Sequence, residues 1–291
     1  MMFFYVNKKH TRSLHNFLIR GHFSIRPIYY ERTKQQYLPN SNILSTRFLS
    51  AEGASEIIDY MHILDKRARS LHKQLLPWLI RSVEAIRGKV SLRVELFPAF
   101  NYARDKHTTR FESCPGVDDV RVIFNSKGLS LDLRYLVEAG EYEPPSITWT
   151  KVTRDRDLGP GVIAEFTLQE GQCVKFILRE IVEESDEQPP ATKTSKKYPD
   201  PPLSIALLNS LYRQTLKFWQ NWISQSSYNG RWREHVHRSA LALKLMTYEP
   251  VSEKTRMNWG VSGRNEPCIC DEMLERIYLF FCCNTILILI M

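Results

Sequence analysis

The sequence predicts a mainly β protein with a helical C-terminal part, in which an antiparallel β-sandwich precedes amphipathic helices. Before residue 183, apolar and polar residues alternate in short runs, which is typical of strands that bury one face. Residues 183–204 then carry acids, Thr, Ser, Lys and five prolines, a composition that cannot bury much apolar surface. After this connector, apolar residues recur with the period of an α-helix.

The strands are predicted from the alternating runs. Alternation is clearest at residues 90–96, and residues 47–49 and 55–61 are further strand candidates. Residues 121–124 and 129–135 flank a four-residue connection that ends in glycine, which predicts a hairpin. Because no helical period of useful length intervenes, the strands are predicted to pair antiparallel and to form a sandwich.

A second hairpin is predicted farther along the chain. Residues 162–168 and 173–182 are both rich in apolar side chains and flank Glu170-Gly171. A glycine in so short a connection is typical of a tight turn. These two strands are therefore expected to be neighbours in one sheet.

The first helix is predicted to follow the connector, with Ser204 as its N-cap and Asn229-Gly230 as the turn that ends it. Its apolar residues lie three and four positions apart, which predicts a stripe that packs against another element. The stripe consists of Leu208, Leu211, Tyr212, Thr215, Trp219, Trp222 and Ile223.

The second helix is predicted over residues 231–248. It ends before Pro250, because the residue that precedes a proline leaves the helical region. Two such helices cannot close a domain by themselves, so their apolar faces need partners. The predicted apolar face of this helix consists of Trp232, Val236, Ala240, Leu243 and Met246.

Composition and charge limit the classes of function. Hydrophobic residues make up 43% of the 291-residue chain and charged residues 25%, as in ordinary globular proteins. No apolar run, including residues 277–291, reaches the roughly 18 residues of a membrane span. The excess of 40 Lys and Arg over 32 Asp and Glu is interleaved with acids beyond residue 30, unlike the clustered face of a nucleic-acid-binding protein. Neither a nucleic-acid partner nor a membrane span is predicted.

Cysteine usage bears on the compartment. Six cysteines are too few for a disulfide-dense scaffold, and no Asn-x-Ser/Thr acceptor occurs. Both observations favour an intracellular protein. Residues 1–30 contain arginines and no acid, a loose likeness to a mitochondrial presequence. A cytoplasmic protein is expected, with the mitochondrion as the alternative.

Carboxylate pairs are the first candidates for hydrolytic chemistry. Asp59 and Asp65 are available as one pair, and Asp118 and Asp119 as another. Adjacent residues on a strand point to opposite faces, so the second pair fits a turn better than a catalytic site. No catalytic residue is predicted from these pairs.

Other chemistry-bearing residues also fit structural roles. His235 and His237 are two apart on a helix and do not share a face, as metal ligands would need to do. The tryptophans Trp219, Trp222 and Trp232 can stack on sugar rings, but their helical spacing favours a place in the core. The four cysteines near the C-terminus lack the two-residue gap of common zinc sites. No metal and no cofactor are predicted, and substrate-binding residues stay unassigned.

Motifs in both halves resemble glycoside hydrolase family 15, in its glucoamylase- and trehalase-like branch. In the helical half they are Phe218-Trp219-x-x-Trp222, Tyr228-x-Gly230-Arg231-Trp232, Val236-x-Arg238-Ser239-Ala240-Leu241 and the run from Leu243 to Pro250. In the β half they are Gly21-His22-Phe23-x-Ile25-x-Pro27, Tyr37-x-Pro39-x-Ser41-Asn42-x-Leu44-x-Thr46-Arg47-Phe48, Arg87-Gly88-x-Val90 and Pro98-x-Phe100-x-Tyr102-Ala103-Arg104.

The resemblance implies a β-sandwich followed by an α/α toroid of paired helices. It also implies hydrolysis of α-glucosidic bonds with inversion, in which a carboxylic acid protonates the leaving oxygen and a carboxylate activates water. The family continues after Glu249-Pro250 with Asn-Trp-Asp-Tyr-Arg and Trp-x-Arg-Asp segments that bind the sugar, and then with the acid and base. In residues 251–291 only Asn258-Trp259 matches, in two letters.

These observations divide the chain and predict its function. A divergent N-terminal segment (1–20), a trehalase-like β-sandwich domain (21–182), a linker (183–204), the start of an incomplete α/α toroid (205–250) and a divergent tail with an apolar end (251–291) are expected. The expected function is that of a fragment of an inverting α-glucosidase in carbohydrate metabolism, of glucoamylase or trehalase type, which is inactive because the catalytic carboxylates are missing. The alternative is a non-catalytic β-sandwich module for binding or assembly. The implied partner of the full-length relative is an α-glucoside or a trehalose-type carbohydrate.

Overall fold

The computed structural model describes residues 21–63, 76, 78–113, 120–127, 129–154, 158–181, 201–245, 278–282 and 285–289. Within these ranges it confirms the predicted architecture, because antiparallel strands precede two α-helices. A short 3-10 turn, Asn101–Ala103, follows the longest strand. The strands are β1 (His22–Pro27), β2 (Arg32–Tyr37), β3 (Leu44–Leu49), β4 (Gly53–Met61), β5 (Leu79–Phe97), β6 (Thr108–Ser113), β7 (Val120–Ser126), β8 (Leu129–Glu138), β9 (Thr150–Val152), β10 (Gly161–Gln169), β11 (Cys173–Ile181), β12 (Tyr278–Cys282) and β13 (Thr285–Leu289), and the helices are α1 (Ile205–Ile223) and α2 (Arg233–Leu245).

Strand β5 belongs to both layers of the sandwich. Its first half pairs with β4 and β11, and its second half pairs with β1 and β10. The strand changes layer at Ile86, where the pairing with β4 slips by one residue, and at Gly88, whose φ is 69°. A Cβ at Gly88 would lie 2.3 Å from the carbonyl oxygen of Glu52, so this crossing requires glycine.

The two layers bury one hydrophobic core between them. The inward residues alternate along each strand, as the sequence pattern predicts, and β5 contributes Val90, Leu92, Val94 and Leu96 from its second half. Strands β1 and β10 contribute core residues from the same layer. Strands β3, β4, β7, β8 and β11 contribute core residues from the opposite layer. Burial of these apolar faces is the main favourable contribution to folding.

The hairpin predicted from residues 162–168 and 173–182 is wrong. Strands β10 and β11 follow each other in the chain, but β10 pairs with the second half of β5 and β11 with its first half. The connection between them turns a corner from one layer to the other. Gly171, with φ 82°, donates its backbone N–H to the carbonyl of Ala85 at 2.8 Å. The half of β5 with which each of these strands pairs therefore depends on where β5 bends. The residues of the turn between β10 and β11 cannot show this.

The other β predictions are confirmed. Residues 121–124 and 129–135 lie in β7 and β8, which pair antiparallel, and the candidates at 47–49 and 55–61 lie in β3 and β4. The apolar end of the tail contributes β12 and β13. These two strands form an antiparallel hairpin that adds to the edge of β1, with Phe23 opposite Ile286.

Helix α1 begins where the sequence predicts it. The Ser204 hydroxyl accepts a hydrogen bond from the backbone N–H of Leu207 at 3.1 Å, which is N-cap geometry. The helix ends at Ile223, earlier than the predicted turn at Asn229-Gly230. Its stripe is buried at Leu208, Leu211, Thr215, Trp219 and Ile223.

The predicted apolar face of α2 is wrong at most of its described positions, although Ala240 is half-buried and packs as predicted. Its buried residues are His237 and Leu241, whereas Trp232 is 57% exposed and Leu243 is 63% exposed. The helix packs through a mixed face, so apolar character alone does not identify the packed side. Met246 and the predicted end of this helix lie outside the described residues, and within those residues no helix combines the length and apolarity needed to cross a bilayer.

Candidate functional site

The helices dock on the outer face of the layer that contains β3, β4, β11 and the first half of β5. A second hydrophobic cluster fills this contact, with Tyr60, Trp78 and Ile177 from the sandwich and Leu208 and Trp219 from α1. The Tyr60 hydroxyl donates to the carbonyl of Leu208 at 3.2 Å, and burial raises the pKa of Tyr60 well above its ordinary value. The sandwich therefore supplies the partner that the stripe of α1 needs.

Helix α2 is held to the sandwich by polar contacts. The Arg238 guanidinium donates to the carbonyl of Ser41 at 2.7 Å and to the side-chain oxygen of Asn42. Asn42 in turn donates its amide to the carbonyl of Leu241 at 3.0 Å. The Arg238 guanidinium also lies over the Tyr37 ring, 4.0 Å from the centroid. Residues 37–42 and 238–241, which two separate motifs contain, thus meet in the folded chain.

A cleft opens beside this junction. It has a volume of about 550 Å³, which lies within the roughly 300–1,000 Å³ typical of small-molecule sites. One wall is the turn after β2, and the other is the first half of α2. Its lining consists of Tyr37, Leu38, Pro39, Asn40, Arg233, Glu234, His237, Arg238 and Leu241.

Burial changes the ionisation of the groups in the cleft wall. Burial raises the pKa of Tyr37, and the nearby Arg238 offsets part of this rise. Burial also lowers the pKa of the Arg238 guanidinium, against a smaller opposing effect of Tyr37. His237 is 6% exposed, and its Nε2 is buried without a hydrogen-bond partner. Such an atom costs about 1–3 kcal/mol of folding free energy.

A second polar cluster covers the outer face of the other layer. Glu95 accepts from Arg93 at 2.7 Å and from Arg154 at 3.2 Å, and its other neighbour is the ring of His22 at 3.4 Å. The Arg154 guanidinium lies 3.6 Å from the centroid of the Phe97 ring. The hydrogen bond from His22, aided by Arg93 and opposed by burial, lowers the pKa of Glu95 to about 2.

The candidate carboxylates do not come together as a pair in the described residues. Asp59 is 2% exposed and is held by Arg81 through two hydrogen bonds of 2.7 and 3.0 Å. Glu234 is exposed at the cleft. The other three carboxylates of the candidate pairs lie outside the described residues, as does Glu249 at the end of the helical motif. The three are Asp65, Asp118 and Asp119.

The histidines and tryptophans of the helices are placed differently from one another. His235 is exposed and lies against the Trp232 ring, with 5.7 Å between centroids, whereas His237 is buried. Trp219 is buried and Trp222 half-buried in the contact with the sandwich. The expectation of a core position is therefore confirmed for Trp219 and wrong for Trp232.

Cys173 is a buried free cysteine. Its thiol is buried in β11, 3.1 Å from the Ser82 hydroxyl, and burial raises its pKa to about 11. A thiol with so high a pKa is a poor nucleophile at neutral pH. Within the described residues no three His, Cys, Asp or Glu side chains gather as a metal site would require. Cys114, Cys268 and Cys270 lie outside these residues.

Sequence reasoning missed the cleft. Its wall combines a turn before β3 with a helix about 200 positions later, and this pairing follows only from the docking of α2. The available signal was that both walls carry motifs of one family resemblance. His237 was considered only as a metal ligand together with His235, and Arg238 only as part of a motif.

Comparisons with known proteins point in one direction. No protein-family profile matches the chain. It is 25% identical over 246 residues to a trehalase of Mycolicibacterium smegmatis, covering 79% of this chain and 32% of the relative, and 24% identical over 243 residues to a trehalase of Mycobacterium tuberculosis, covering 79% and 31%. A trehalase of Thermoplasma acidophilum is 47% identical over 39 residues, which are 13% of this chain and 7% of that protein.

A solved structure is also similar. A bacterial glucoamylase complexed with acarbose matches with a TM-score of 0.46 at 12% identity, over 77% of this chain and 34% of that chain. The chain spans about a third of the length of the curated mycobacterial relatives that it matches. The trehalase matches confirm the resemblance that the sequence motifs indicate.

Proposed function

We propose that this chain, which is related to the glucoamylase- and trehalase-like glycoside hydrolases, provides the β-sandwich and opening helices of a protein that acts on α-glucosides. The whole activity would be inverting hydrolysis of a glucoamylase or trehalase type. Because the chain spans about a third of its mycobacterial relatives, that activity is proposed for the longer protein. A carbohydrate is the proposed partner, and neither a cofactor nor a nucleic acid is proposed.

The observation that supports this proposal is the contact between two motifs. Asn42 belongs to a motif of the β half, and Arg238 belongs to a motif of the helical half. Their side chains hydrogen-bond to each other, and Asn42 also binds the backbone of α2. A chance likeness in two separate segments gives no reason for them to meet. The contact shows that the two motif-bearing segments form one junction in this chain, which supports treating them as parts of one likeness.

We further propose that this chain does not hydrolyse glucosides by itself. An inverting enzyme needs two carboxyl groups about 6.5–9.5 Å apart, so that water fits between one of them and the sugar. Among the described residues that line the cleft, Glu234 is the one with a carboxylate, so no second carboxylate faces it there. Asp59 is committed to Arg81 inside the sandwich. Of the sugar-binding segments expected after Pro250, residues 251–291 contain only the two letters Asn258-Trp259.

The test is an assay of glucose release from trehalose, maltose and starch by the purified 291-residue chain. The expected result is no release above a buffer blank, for the chain and for Glu234→Gln alike. Glu141→Gln is a matched control, because Glu141 is an exposed carboxylate on a sandwich loop. Release that Glu234→Gln abolishes and Glu141→Gln preserves would overturn the proposed inactivity.

The second candidate function is that of a non-catalytic assembly module. The exposed apolar residues of α2, with Trp232 57% exposed and Leu243 63% exposed, favour it. A contiguous apolar surface on a folded protein often marks an interaction site. Light scattering across a concentration series measures the self-association expected on this reading, and a monomer at every concentration would count against it.

A further inference from the structure

We propose that the chain forms a two-fold symmetric dimer in which strand β12 (Tyr278–Cys282) of one copy pairs antiparallel with β12 of a second copy. The dimer depends on strand pairing at the edge of the sheet, and neither a carbohydrate nor the exposed face of α2 takes part in it. The two sandwiches would share one continuous sheet through this edge.

Strand β12 lies at an end of the sheet. Its neighbour is β13, and no described strand pairs with its other side. The strand reads Tyr-Leu-Phe-Phe-Cys and contains neither a charged residue nor a proline. Such an edge offers a row of backbone donors and acceptors, which soluble proteins usually protect with charge, proline or a bulge.

The other edge strands of the described sheet carry this protection. Strands β2, β6 and β9 each pair with a single strand among those described. Each contains a basic residue, with Lys34 in β2, Arg110 in β6 and Lys151 in β9. Strand β12 is the exception among these edges, so its free side is the one suited to pair with another chain.

The hydrogen bonding of β1 fixes which backbone groups point across the sheet. Directly after β1, Ile28 donates its N–H to the carbonyl of Ser91 in β5 at 2.9 Å. Hydrogen-bonded pairs alternate along an antiparallel ladder, so the even-numbered residues of β1 bond to β5. Phe23 therefore directs its backbone groups to β13, where Ile286 lies opposite.

The same alternation continues across the hairpin of β12 and β13. Because Ile286 bonds to β1, its neighbour Leu287 bonds to β12, where Phe280 lies opposite. Phe280 thus directs its backbone groups to β13, and Leu279 and Phe281 direct their N–H and C=O groups to the free side. A further strand would pair with these groups.

A second copy of β12 fits this edge. When Phe280 lies opposite its own copy in an antiparallel register, Leu279 lies opposite Phe281 of the second copy. Both such pairs can exchange N–H···O bonds, because each residue directs these groups to the shared side. The strand is uncharged, so the two-fold axis sets no like charges opposite each other. The contact uses the same surface on both copies and therefore closes at a dimer.

The test is sedimentation of the full chain over a concentration series, with hydrogen exchange of the backbone amides measured at the same concentrations. We expect a reversible dimer. Exchange at Leu279 and Phe281 should slow as the dimer forms, whereas the Phe280 amide, which bonds to β13, should be protected at every concentration. Trp232→Gln/Leu243→Gln should retain the dimer, because the helices dock on the other layer.

Two variants separate backbone pairing from apolar association. Leu279→Pro/Phe281→Pro removes the two N–H groups on the free side of an edge strand, where proline is tolerated. It should weaken the dimer by about thirtyfold or more, because every hydrogen bond between the copies loses its donor. Leu279→Thr/Phe281→Thr is the matched control, since it loses the same apolar side chains and keeps both N–H groups in a strand-forming residue. This control should still dimerise, and unchanged exchange at Phe23 in both variants shows that β13 stays on β1.

Four outcomes would overturn the proposal. A chain that stays monomeric at every concentration, or a dimer without slower exchange at Leu279 and Phe281, would remove the interface. A proline variant that dimerises like the parent chain would do the same. Loss of the dimer in the threonine variant would assign association to apolar side chains and not to strand pairing. Glucose release is measured separately, so none of these results decides the proposed function.

Discussion

Asn42 accepts a hydrogen bond from the Arg238 guanidinium and donates one to the carbonyl of Leu241, so one side chain ties the sandwich to two successive turns of helix α2. Asn42 is 7% exposed and Leu241 is 2% exposed. Buried hydrogen bonds of this kind favour one position of α2 on the sandwich. If the helix were displaced, the Asn42 amide and the Arg238 guanidinium would lose these bonds.

Asn42→Ala is expected to loosen α2 from the sandwich. The change removes the side-chain hydrogen bonds of Asn42 to Arg238 and to the Leu241 carbonyl, while Arg238 keeps its bond to the Ser41 carbonyl. The expected cost is about 1–3 kcal/mol in the free energy of unfolding. Hydrogen exchange should rise in α2 and stay unchanged in β5. Asn221→Ala is the matched control, because Asn221 is exposed on α1, and equal effects of the two changes would contradict the assignment.

The ion pair inside the sandwich should be sensitive to the loss of one partner. Arg81 is 1% exposed, contacts Asp59 through two hydrogen bonds, and donates to the carbonyl of Phe23 in the opposite layer at 2.5 Å. Removing one member of a buried pair costs about 3–5 kcal/mol, because the other charge stays buried.

Urea unfolding is the measurement for this pair. We expect Asp59→Leu to lower stability more than the double variant Asp59→Leu/Arg81→Met, since the double variant buries no lone charge. A double variant that is as unstable as the sum of its single changes would show that the charges do not act as a pair.

Because of Glu95, the free energy of unfolding should depend on pH in the acid range. The folded pKa of Glu95 is lowered to about 2, first by the hydrogen bond from His22. Because the pKa of Glu95 is lower in the folded chain, its ionised carboxylate stabilises the fold above the ordinary carboxyl pKa. This stabilisation is lost as the pH falls through the folded pKa of Glu95.

The comparison is between the chain and Glu95→Gln in urea unfolding at a series of pH values. At neutral pH the variant should be less stable, and the difference should shrink between about pH 4.5 and about pH 2. Glu165→Gln is the control, because Glu165 is half exposed and its carboxylate binds Arg93. A difference that stays constant over this pH range would refute the assignment.

Polar substitution of the exposed face of α2 should reduce association of the chain. Trp232→Gln/Leu243→Gln removes two large exposed apolar side chains, so aggregation should fall while the melting temperature changes little. Trp219→Gln is the contrast, because Trp219 is 5% exposed and packs against the sandwich. It should lose about 3 kcal/mol or more, and undiminished scattering by the double variant would argue against this surface.

Several strands, the start of α1 and the family resemblance could be predicted from the sequence, whereas strands β1, β2, β6 and β9 were not predicted. The predicted features depend on local signals: alternation along β5, the Ser204 cap, and motifs that are contiguous in the chain. The tryptophan spacing in α1 likewise predicted the stripe that packs on the sandwich. Each of these features is set by neighbours a few positions away, where steric and hydrogen-bonding rules apply directly.

The partners of β10 and β11 and the buried face of α2 follow from long-range contacts. Strands β10 and β11 separate because β5 bends at Gly88 and offers each of them a different half. Helix α2 buries His237 and Leu241 and exposes Trp232, because Arg238 and Asn42 fix its rotation on the sandwich. The cleft follows from that rotation. Contacts between residues about 200 positions apart leave no period in the sequence, so only the folded chain shows them.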